Sequence, residues 1–270
     1  MNEGMVQNMS EHTFVICAYK ESPYLEECIE SLKKQTVQSW IIMITSTPNT
    51  YIEQVANKHG ISLCVREGES DIVLDWNFGY SKVVTPYLTI AHQDDVYLEN
   101  YTEHVIQAMQ NSSKPLIFFS DYGEIRGDKI VTKNRLLTVK RIMLLPLRCK
   151  LFFSSQFVRR RILSLGSPIC CPSVAYAKDN LPEEVFRQGF RSNEDWEAWE
   201  KISRLKGDFI YDKQILMHHR IHEDSETSAI IQDDKRSDED MEMYSKFWPK
   251  AIAKLLVKLY ASGQKSNELK

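Results

Sequence analysis

Two adjacent carboxylates follow a short apolar run in the first half of the chain. The apolar run covers residues 86–90, and the carboxylates close the segment 91–95, which reads Ala-His-Gln-Asp-Asp. Neighbouring carboxylates repel each other, so they need a cation, hydrogen-bond donors or water around them. In open α/β sheets, ligands also bind where the strands end. The segment therefore indicates either a site for Mg²⁺ or Mn²⁺, held together with substrate phosphates, or an exposed acidic turn.

A second acidic pair, Glu194-Asp195, stands at the start of a predicted helix about a hundred residues later. A positioned carboxylate can act as a general base toward a hydroxyl group. Acidic residues also favour helix N-termini, and Ser192 and Asp195 have the spacing of a capping box. The residues alone leave both interpretations open.

Three histidines, His218, His219 and His222, form a third polar group. Histidines one helical turn apart can bind zinc, but this segment has the pattern of a strand and a loop. A shared zinc-binding face is therefore not expected, and a single metal ligand or a phosphate partner fits the pattern better. A fourth group, Asp75 and Asn77, lies on a predicted helix of which half is expected to be buried in the core.

Alternating strands and helices position these groups. The first predicted strand, 13–18, is uniformly apolar, as buried parallel strands are, and Ser22 and Pro23 suit the start of the next helix. Further strands are predicted at 40–44, 61–65 and 86–90, with helices at 50–58 and 71–84. This alternation predicts a parallel sheet covered by helices. No glycine-rich phosphate loop follows the first strand, so a dinucleotide or P-loop nucleotide site is not expected. If the domain binds a diphosphate, a metal must supply the charge stabilisation that backbone amides of such a loop give elsewhere.

The second half of the chain predicts shorter elements. A helix at 99–110 and a strand at 115–120 lead to a hairpin with Gly123 and Gly127 as turn residues. A strand over 170–177, a helix that opens over 190–196 and short strands at 209–211 and 215–217 follow. The last predicted helix, 241–261, is amphipathic, with Tyr244, Trp248, Leu255 and Leu259 on one side and Lys250, Lys254 and Lys258 on another.

Composition places the chain among ordinary soluble globular proteins. It has 270 residues, of which 43% are hydrophobic and 26% charged. No apolar run approaches the roughly 18–20 residues that span a bilayer, and the first twelve residues lack the pattern of a secretory signal. The six cysteines are scattered without a CxxC motif, which favours a reduced, cytoplasmic location.

The net charge of −3 conceals an asymmetry. Residues 129–178 contain eleven Lys and Arg and no Asp or Glu, so this segment carries +11 and the remainder −14. A basic stretch interleaved with apolar residues can face phosphates, an anionic membrane or nucleic acid. It can also be a solvated helical face. We expect no nucleic-acid partner.

The ordered set of motifs resembles family 2 glycosyltransferases. The similarity begins with the strand and helix over 15–25, continues through 28–36, and includes the N-x-G pattern at Asn77. Segment 92–95 stands where this family has its metal-binding DxD box, and 172–176 is similar to a later central strand of the family. Glu194-Asp195 matches the ED motif, and residues 220–222 are similar to a common ending of the catalytic domain.

This resemblance implies a GT-A fold, in which a mixed, mostly parallel sheet is flanked by helices, with a C-terminal helical extension. The implied catalytic domain is 12–225, with a nucleotide-binding half at 12–97 and an acceptor half at 98–225. An acidic linker or lid is predicted at 226–240 and an amphipathic helix at 241–270.

The resemblance also implies an inverting enzyme that moves a sugar from a nucleoside-diphosphate sugar, which we predict to be a UDP- or dTDP-sugar, to a hydroxyl of a glycan or lipid-diphosphate-linked acceptor. Such a reaction fits cell-surface polysaccharide synthesis in the cytoplasm. The +11 segment and the lysines of the C-terminal helix predict peripheral contact at the inner face of the membrane, and the alternative is a helix that packs on the catalytic domain. The implied base is Asp195, assisted by Glu194. The implied cofactor is Mn²⁺ or Mg²⁺, with Asp94, Asp95 and His222 as ligands. The implied donor-binding residues are Ala18, Tyr19, Glu21, Ser46, Asp75, Asn77, His92, Gln93 and Asp94.

One residue and two short segments differ from the family pattern. His92 replaces the first acidic residue of the DxD box, Thr45-Ser46-Thr47 replaces an acidic turn, and residues 17–20 lack the usual proline and asparagine. Two alternative functions therefore stay open. One is a metal-dependent hydrolase that uses Asp94, Asp95 and the histidines of 218–222. The other is a nucleotide- or carbohydrate-binding module without turnover.

Overall fold

The computed structural model of the protein describes residues 10–222 and 235–265. The strands of the described part are β1 His12–Cys17, β2 Trp40–Thr45, β3 Ser62–Val65, β4 Tyr87–His92, β5 Val96–Tyr97, β6 Pro115–Arg126, β7 Lys129–Val131, β8 Val174–Ala177 and β9 Asp208–Ile221. The helices are α1 Leu25–Lys33, α2 Thr50–His59, α3 Ile72–Lys82, α4 Tyr101–Gln110, α5 Arg135–Met143, α6 Gln156–Leu163, α7 Glu194–Ser203, α8 Lys235–Ser245 and α9 Lys250–Lys265. Short 3-10 helices lie at Leu145–Arg148, Lys150–Phe152, Cys171–Ser173 and Lys178–Asn180.

These strands form one mixed sheet in the order β3-β2-β1-β4-β8-β6-β9-β5, with β7 paired to β6. The first four strands of this order are parallel to one another. Strand β8 is antiparallel to both β4 and β6, whereas β9 returns parallel to β6. The predicted α/β architecture with a mixed sheet flanked by helices is confirmed.

The core lies on both faces of the sheet because neighbouring side chains of a strand point to opposite faces. On β1, Phe14 and Ile16 belong to the apolar cluster with α1, α2 and α4, whereas Val15 belongs to the cluster with α3 and α7. All three side chains are fully buried, as predicted for a central parallel strand. The helix α3 approaches β1 so closely that a Cβ on Gly79 would lie 2.6 Å from Val15.

Several element boundaries differ from the prediction. Helix α1 begins at Leu25 rather than at Pro23, and the Ser22 hydroxyl accepts a hydrogen bond from the Tyr24 N–H at 3.3 Å. Gly123 is not in a turn but lies within β6, where a Cβ would come within 2.8 Å of the His218 ring. The two short strands predicted near 209–217 are one long strand, β9. Its irregular pairing with β6 near Asp121 lets the strand continue through the polar residues at its middle.

The C-terminal extension consists of two helices rather than one. Residues 235–240, predicted as part of the linker or lid, belong to α8. The helical conformation is interrupted after Ser245, and α9 starts directly after Pro249. Residues 226–234 of that linker lie outside the described residues. Met243 and Tyr244 of α8 and Ala253 of α9 are buried in the core cluster of α3 and α7. The extension therefore packs on the sheet domain. None of the described helices is long and apolar enough to cross a bilayer.

Candidate active site

The carboxyl ends of the four parallel strands meet at one edge of the sheet. Cys17 pairs in register with both Ile44 and His92, and Thr45 pairs with Val65. The residues that follow each strand are therefore brought together although they are far apart in the chain. This alignment explains why polar residues after separate strands can share a ligand.

Gln93 joins two of these strand ends. Its side-chain amide accepts a hydrogen bond from the Tyr19 N–H and donates one to the Tyr19 carbonyl oxygen, both at 3.0 Å. The Tyr19 ring is left 40% exposed. The next residue, Lys20, has a left-handed φ of 51°, and its N–H donates to the Thr47 hydroxyl at 2.8 Å. The loop after β1, which includes the predicted donor-binding residues Ala18 and Glu21, is thus tied to two neighbouring loops.

Asp75 of α3 is nearly buried and ties the ends of β2 and β3 together. Its carboxylate accepts a hydrogen bond from the Ser46 hydroxyl and one from Arg66 Nε, both at 2.6 Å. The structure therefore brings the predicted residues Ser46 and Asp75 into contact. Arg66 was missed by the sequence analysis, although its position directly after β3 was a signal that could have revealed it.

Asn77, also on α3, makes a different kind of contact. Its amide donates to the Phe186 carbonyl oxygen at 2.8 Å and accepts from the Phe186 N–H at 3.1 Å. Both ends of the side chain are thus used to hold the loop that precedes α7. Contact of Asn77 with a nucleotide-sugar donor remains a prediction.

The segment after β4 gathers a group of potential metal ligands. One ligand atom each of His92, Asp94 and Asp95 can be chosen so that all three lie within 4.8 Å of one another. The His92 ring stacks on Trp76 with a centroid distance of 5.5 Å. Asp95 is fully buried, and its Oδ2 has no hydrogen-bond partner among the described residues. A buried carboxylate oxygen without a donor is a group that a cation would stabilise. His92 was predicted to stand at the first position of the DxD-like segment and to contact the nucleotide-sugar donor, but it was not among the predicted metal ligands.

The end of β9 supplies partners to both carboxylates. His219 Nδ1 hydrogen bonds to Asp95 Oδ1 at 2.9 Å, and the Arg220 N–H donates to the same oxygen at 2.9 Å. Arg220 Nε also donates to the Asp94 carbonyl oxygen at 2.9 Å. His222 Nε2 hydrogen bonds to Asp94 Oδ2 at 2.8 Å. The predicted ligand His222 thus contacts the predicted ligand Asp94.

These contacts change the acid–base properties of the site. Burial would raise the pKa of Asp94, but His92, His219 and His222 outweigh it and lower that pKa. Burial would lower the pKa of His219, but the charge of Asp95 and the hydrogen bond to it raise the pKa overall. The site therefore favours an ionised carboxylate, the form that binds a cation.

The remaining histidine of the group, His218, contacts other parts of the sheet. His218 pairs with Val96 in the sheet, and its ring lies against Gly123. Among the described residues, His92, Asp94 and Asp95 form a group of potential metal ligands. That the three histidines form no shared zinc face stays a prediction.

Helix α7 begins with Glu194 and Asp195. The N-cap residue before them, Asn193, makes no side-chain capping hydrogen bond. Asp195 Oδ1 accepts a hydrogen bond from the Trp196 N–H at 2.6 Å. Burial raises the pKa of the Cys170 thiol, and Asp95 and Asp195 both add to this effect against Lys140. Both acidic motifs therefore raise the pKa of the same buried thiol.

Helix α8 holds the segment directly before these carboxylates. Glu239 accepts hydrogen bonds from the N–H groups of Arg191 and Ser192 at 2.7 and 2.9 Å, and from the Ser192 hydroxyl at 2.6 Å. Asp240 accepts one from the Asn193 amide at 2.9 Å. Neither acidic residue was predicted as part of the site, because both fall in the segment 226–240 that was predicted to be a linker or lid.

The fold and site define a GT-A glycosyltransferase, and comparisons with known proteins agree. The sequence model of the family "Glycosyl transferase family 2" matches residues 13–186. An uncharacterized glycosyltransferase of Rickettsia typhi is 22% identical over 258 residues, which cover 90% of this chain and 72% of that protein. The chain belongs to glycosyl transferase family 2.

Solved structures share the fold at low sequence identity. TarS of S. aureus in complex with UDP-GlcNAc has a TM-score of 0.60 and 12% identity, covering 91% of this chain and 70% of that chain. The mannosyltransferase PcManGT of Pyrobaculum calidifontis, in complex with GDP-Man and Mn²⁺, has a TM-score of 0.59 and 12% identity, covering 94% and 70%. These similarities confirm the GT-A fold.

Proposed function

We propose that the protein is an inverting glycosyltransferase that moves a sugar from a nucleoside-diphosphate sugar to an acceptor hydroxyl. One observation carries this proposal. A metal-ligand cluster with an unsatisfied buried carboxylate oxygen lies at the carboxyl edge of the parallel strands, and a second acidic pair begins helix α7. A cation held by the cluster would stabilise the charge that develops on a diphosphate leaving group. A carboxylate of the acidic pair would serve as the base that a hydroxyl nucleophile needs.

The residues present fit a divalent cation. Asp94 and Asp95 offer hard oxygen atoms, and His92 or His222 offers a nitrogen. Oxygen ligands with few protein groups suit Mg²⁺ or Mn²⁺, which take their remaining ligands from phosphate and water. When bound, the cation would neutralise charge on the departing diphosphate. Mn²⁺ in the complex of the archaeal mannosyltransferase supports this choice.

The donor's nucleoside would lie over the ends of β1 to β3. Ser46, Asp75 and Arg66 form a polar group there, and the exposed Tyr19 ring offers a face for stacking a base. We propose a UDP- or dTDP-sugar as donor. The UDP-GlcNAc complex of TarS supports a uridine nucleotide. Ala18, Glu21, Asn77 and Gln93 would complete the donor site through the loops that they hold.

Asp195 would accept the proton of the acceptor hydroxyl. The oxygen then bonds to the anomeric carbon as the bond to the diphosphate breaks on the opposite side, so the configuration inverts. Glu194 would support Asp195 at the start of α7, where the helix dipole favours negative charge. Asp195 and Asp95 both raise the pKa of the Cys170 thiol, which supports this arrangement.

For the acceptor we propose a hydroxyl of a glycan or a lipid-diphosphate-linked sugar, in cell-surface polysaccharide synthesis in the cytoplasm. All six cysteines lie in the described part of the chain, and each has a free thiol. This state fits a reducing compartment. The proposed domain boundaries are a catalytic domain over 12–225 with an extension after it.

A donor screen tests the proposal. Thermal stability is measured with UDP-, dTDP-, GDP- and CMP-sugars, with and without Mn²⁺, and transfer or hydrolysis of the stabilising donor is then followed. We expect one nucleotide class to stabilise the protein in a manganese-dependent way and to be turned over. Tight stoichiometric zinc without nucleotide binding would instead indicate the hydrolase, and donor binding without any product would indicate the binding module.

A further inference from the structure

Exposed apolar side chains lie on α6 and α9. Phe157 of α6 is 70% exposed, and Leu165, just after that helix, is 52% exposed. On α9, Ile252 and Leu255 are 42% and 58% exposed, whereas Ala253 on the other side of the helix is buried. We call Phe157, Leu165, Ile252 and Leu255, with the bridging pair Arg161 and Trp248, the α6–α9 surface.

The bridging pair makes this surface continuous. The Arg161 guanidinium lies 5.6 Å from the centre of the Phe157 ring and 4.8 Å from the centre of the Trp248 ring. Trp248 Nε1 donates to the Ser164 carbonyl oxygen at 2.7 Å, which places the start of α9 beside the residue that precedes Leu165. The two sets of apolar side chains therefore belong to one face of the protein.

The segments that supply this surface carry basic and no acidic side chains, although Glu200 of α7 pairs with Arg160 beside it. Residues 129–178 contain no acidic side chain, and neither does the stretch 250–265. Arg161, Lys254 and Lys258 are exposed on or beside the surface. Apolar side chains among cations, without acidic neighbours in their own segments, are typical of helices that lie in the headgroup region of anionic bilayers.

We propose that the α6–α9 surface binds the headgroup and upper acyl region of an anionic lipid bilayer. The charge selects this occupant. A second copy of the chain would bring two cationic surfaces together and would repel, whereas anionic lipids neutralise the cations while the apolar side chains enter the acyl boundary. Binding would bring the proposed transferase to lipid-linked acceptors, but the surface itself does not depend on the donor chemistry.

Vesicle flotation of the full-length protein tests the proposal. The vesicles contain phosphatidylcholine alone or with about one third phosphatidylglycerol. We expect the wild-type protein to float with the anionic vesicles and to lose binding as salt is raised. The double variant Phe157→Ser/Leu255→Ser should bind at least about tenfold more weakly, and Lys254→Ala/Lys258→Ala should weaken binding by about tenfold at low salt.

A matched control removes two exposed apolar side chains elsewhere. Val84 is 96% exposed before β4, and Ile130 is 61% exposed on β7. Val84→Ser/Ile130→Ser should float as the wild-type protein does. Absence of flotation, or equal loss in this control, would overturn the proposal. If the protein does not bind vesicles, two other results would also overturn the proposal. One is a dimer that dissociates in the variant Phe157→Ser/Leu255→Ser, and the other is binding to RNA. Donor binding in the thermal-shift screen should be unchanged in all these variants, so failure here is distinguishable from failure of the proposed function.

Discussion

Glu239 accepts two hydrogen bonds from Ser192, one from its N–H at 2.9 Å and one from its hydroxyl at 2.6 Å. Ser192 precedes the acidic pair that begins α7, and Glu239 comes from the C-terminal extension. The extension therefore contributes to the site by holding the backbone that leads to Asp195, and it is more than a cover for the core.

Replacing Glu239 tests this positioning. Glu239→Gln replaces one carboxylate oxygen by an amide NH2 group, which cannot accept a hydrogen bond from the backbone donors, so the 191–193 segment should shift. We expect turnover to fall about tenfold, because loss of one such interaction costs on the order of 1.4 kcal/mol, while KM for the donor stays unchanged. Steady-state kinetics measure both. The control is Glu242→Gln on the same helix, which loses only an exposed ion pair with Arg187. A raised donor KM at full turnover would contradict the positioning role.

Asp195→Asn tests the proposed base. The amide keeps the size of the side chain but cannot take a proton, so transfer should fall by at least about a hundredfold. Donor affinity, measured by thermal shift, should stay as in the wild-type protein. Asp179→Asn is the control, because Asp179 is an exposed acidic residue after β8, at the opposite edge of the sheet. Near-normal turnover in Asp195→Asn would remove this assignment.

Asp94→Asn tests the metal site. Asp94 is half-buried, and its carboxylate contacts His222. An amide can still hydrogen bond to that histidine but binds divalent cations poorly, so the variant should fold normally. We expect it to lose the manganese-dependent part of the thermal shift with a nucleoside diphosphate. Treating the wild-type protein with a chelator should give the same result. If the variant kept the full manganese effect, Asp94 would not be a ligand.

His12 should make the protein sensitive to acid. It is fully buried, its ring nitrogens lie 2.9 Å from the Ser39 and Thr89 hydroxyls, and burial lowers its pKa from 6.5 to about 3. Between these pH values the unfolded chain binds a proton that the folded protein does not. The free energy of unfolding should therefore decrease as pH falls from 6.5 toward 3, by about 1.4 kcal/mol per pH unit from this group.

Denaturant unfolding of the wild-type protein and His12→Gln at pH 7 and pH 5.5 measures this effect. The variant is expected to be less stable at pH 7, since its amide fits the two hydroxyls less well, but to lose about 1 kcal/mol less on acidification. The other histidines are common to both proteins and cancel in the difference. Equal losses in the two proteins would show that His12 is not the cause.

Local patterns in the sequence predicted much of the architecture. The uniformly apolar β1, the helix that ends at Gly60 with a left-handed φ of 66°, and the alternation of strands and helices are confirmed. These features depend on residues close together in the chain. Two predictions failed where distant pairing overrides local pattern. Gly123 lies within β6, and β9 continues through polar residues, because the two strands pair along most of their length.

The sequence by itself determined which residues stand at the strand ends, and therefore which carboxylates could meet at the edge of the sheet. The tertiary structure decided their partners. His219 meets Asp95, Arg66 meets Asp75, and Glu239 meets Ser192. Each pair depends on the register of the sheet or on helix packing between separate segments. Spacing along the chain carries no record of such contacts, because their free energy arises only when the core brings the two segments together.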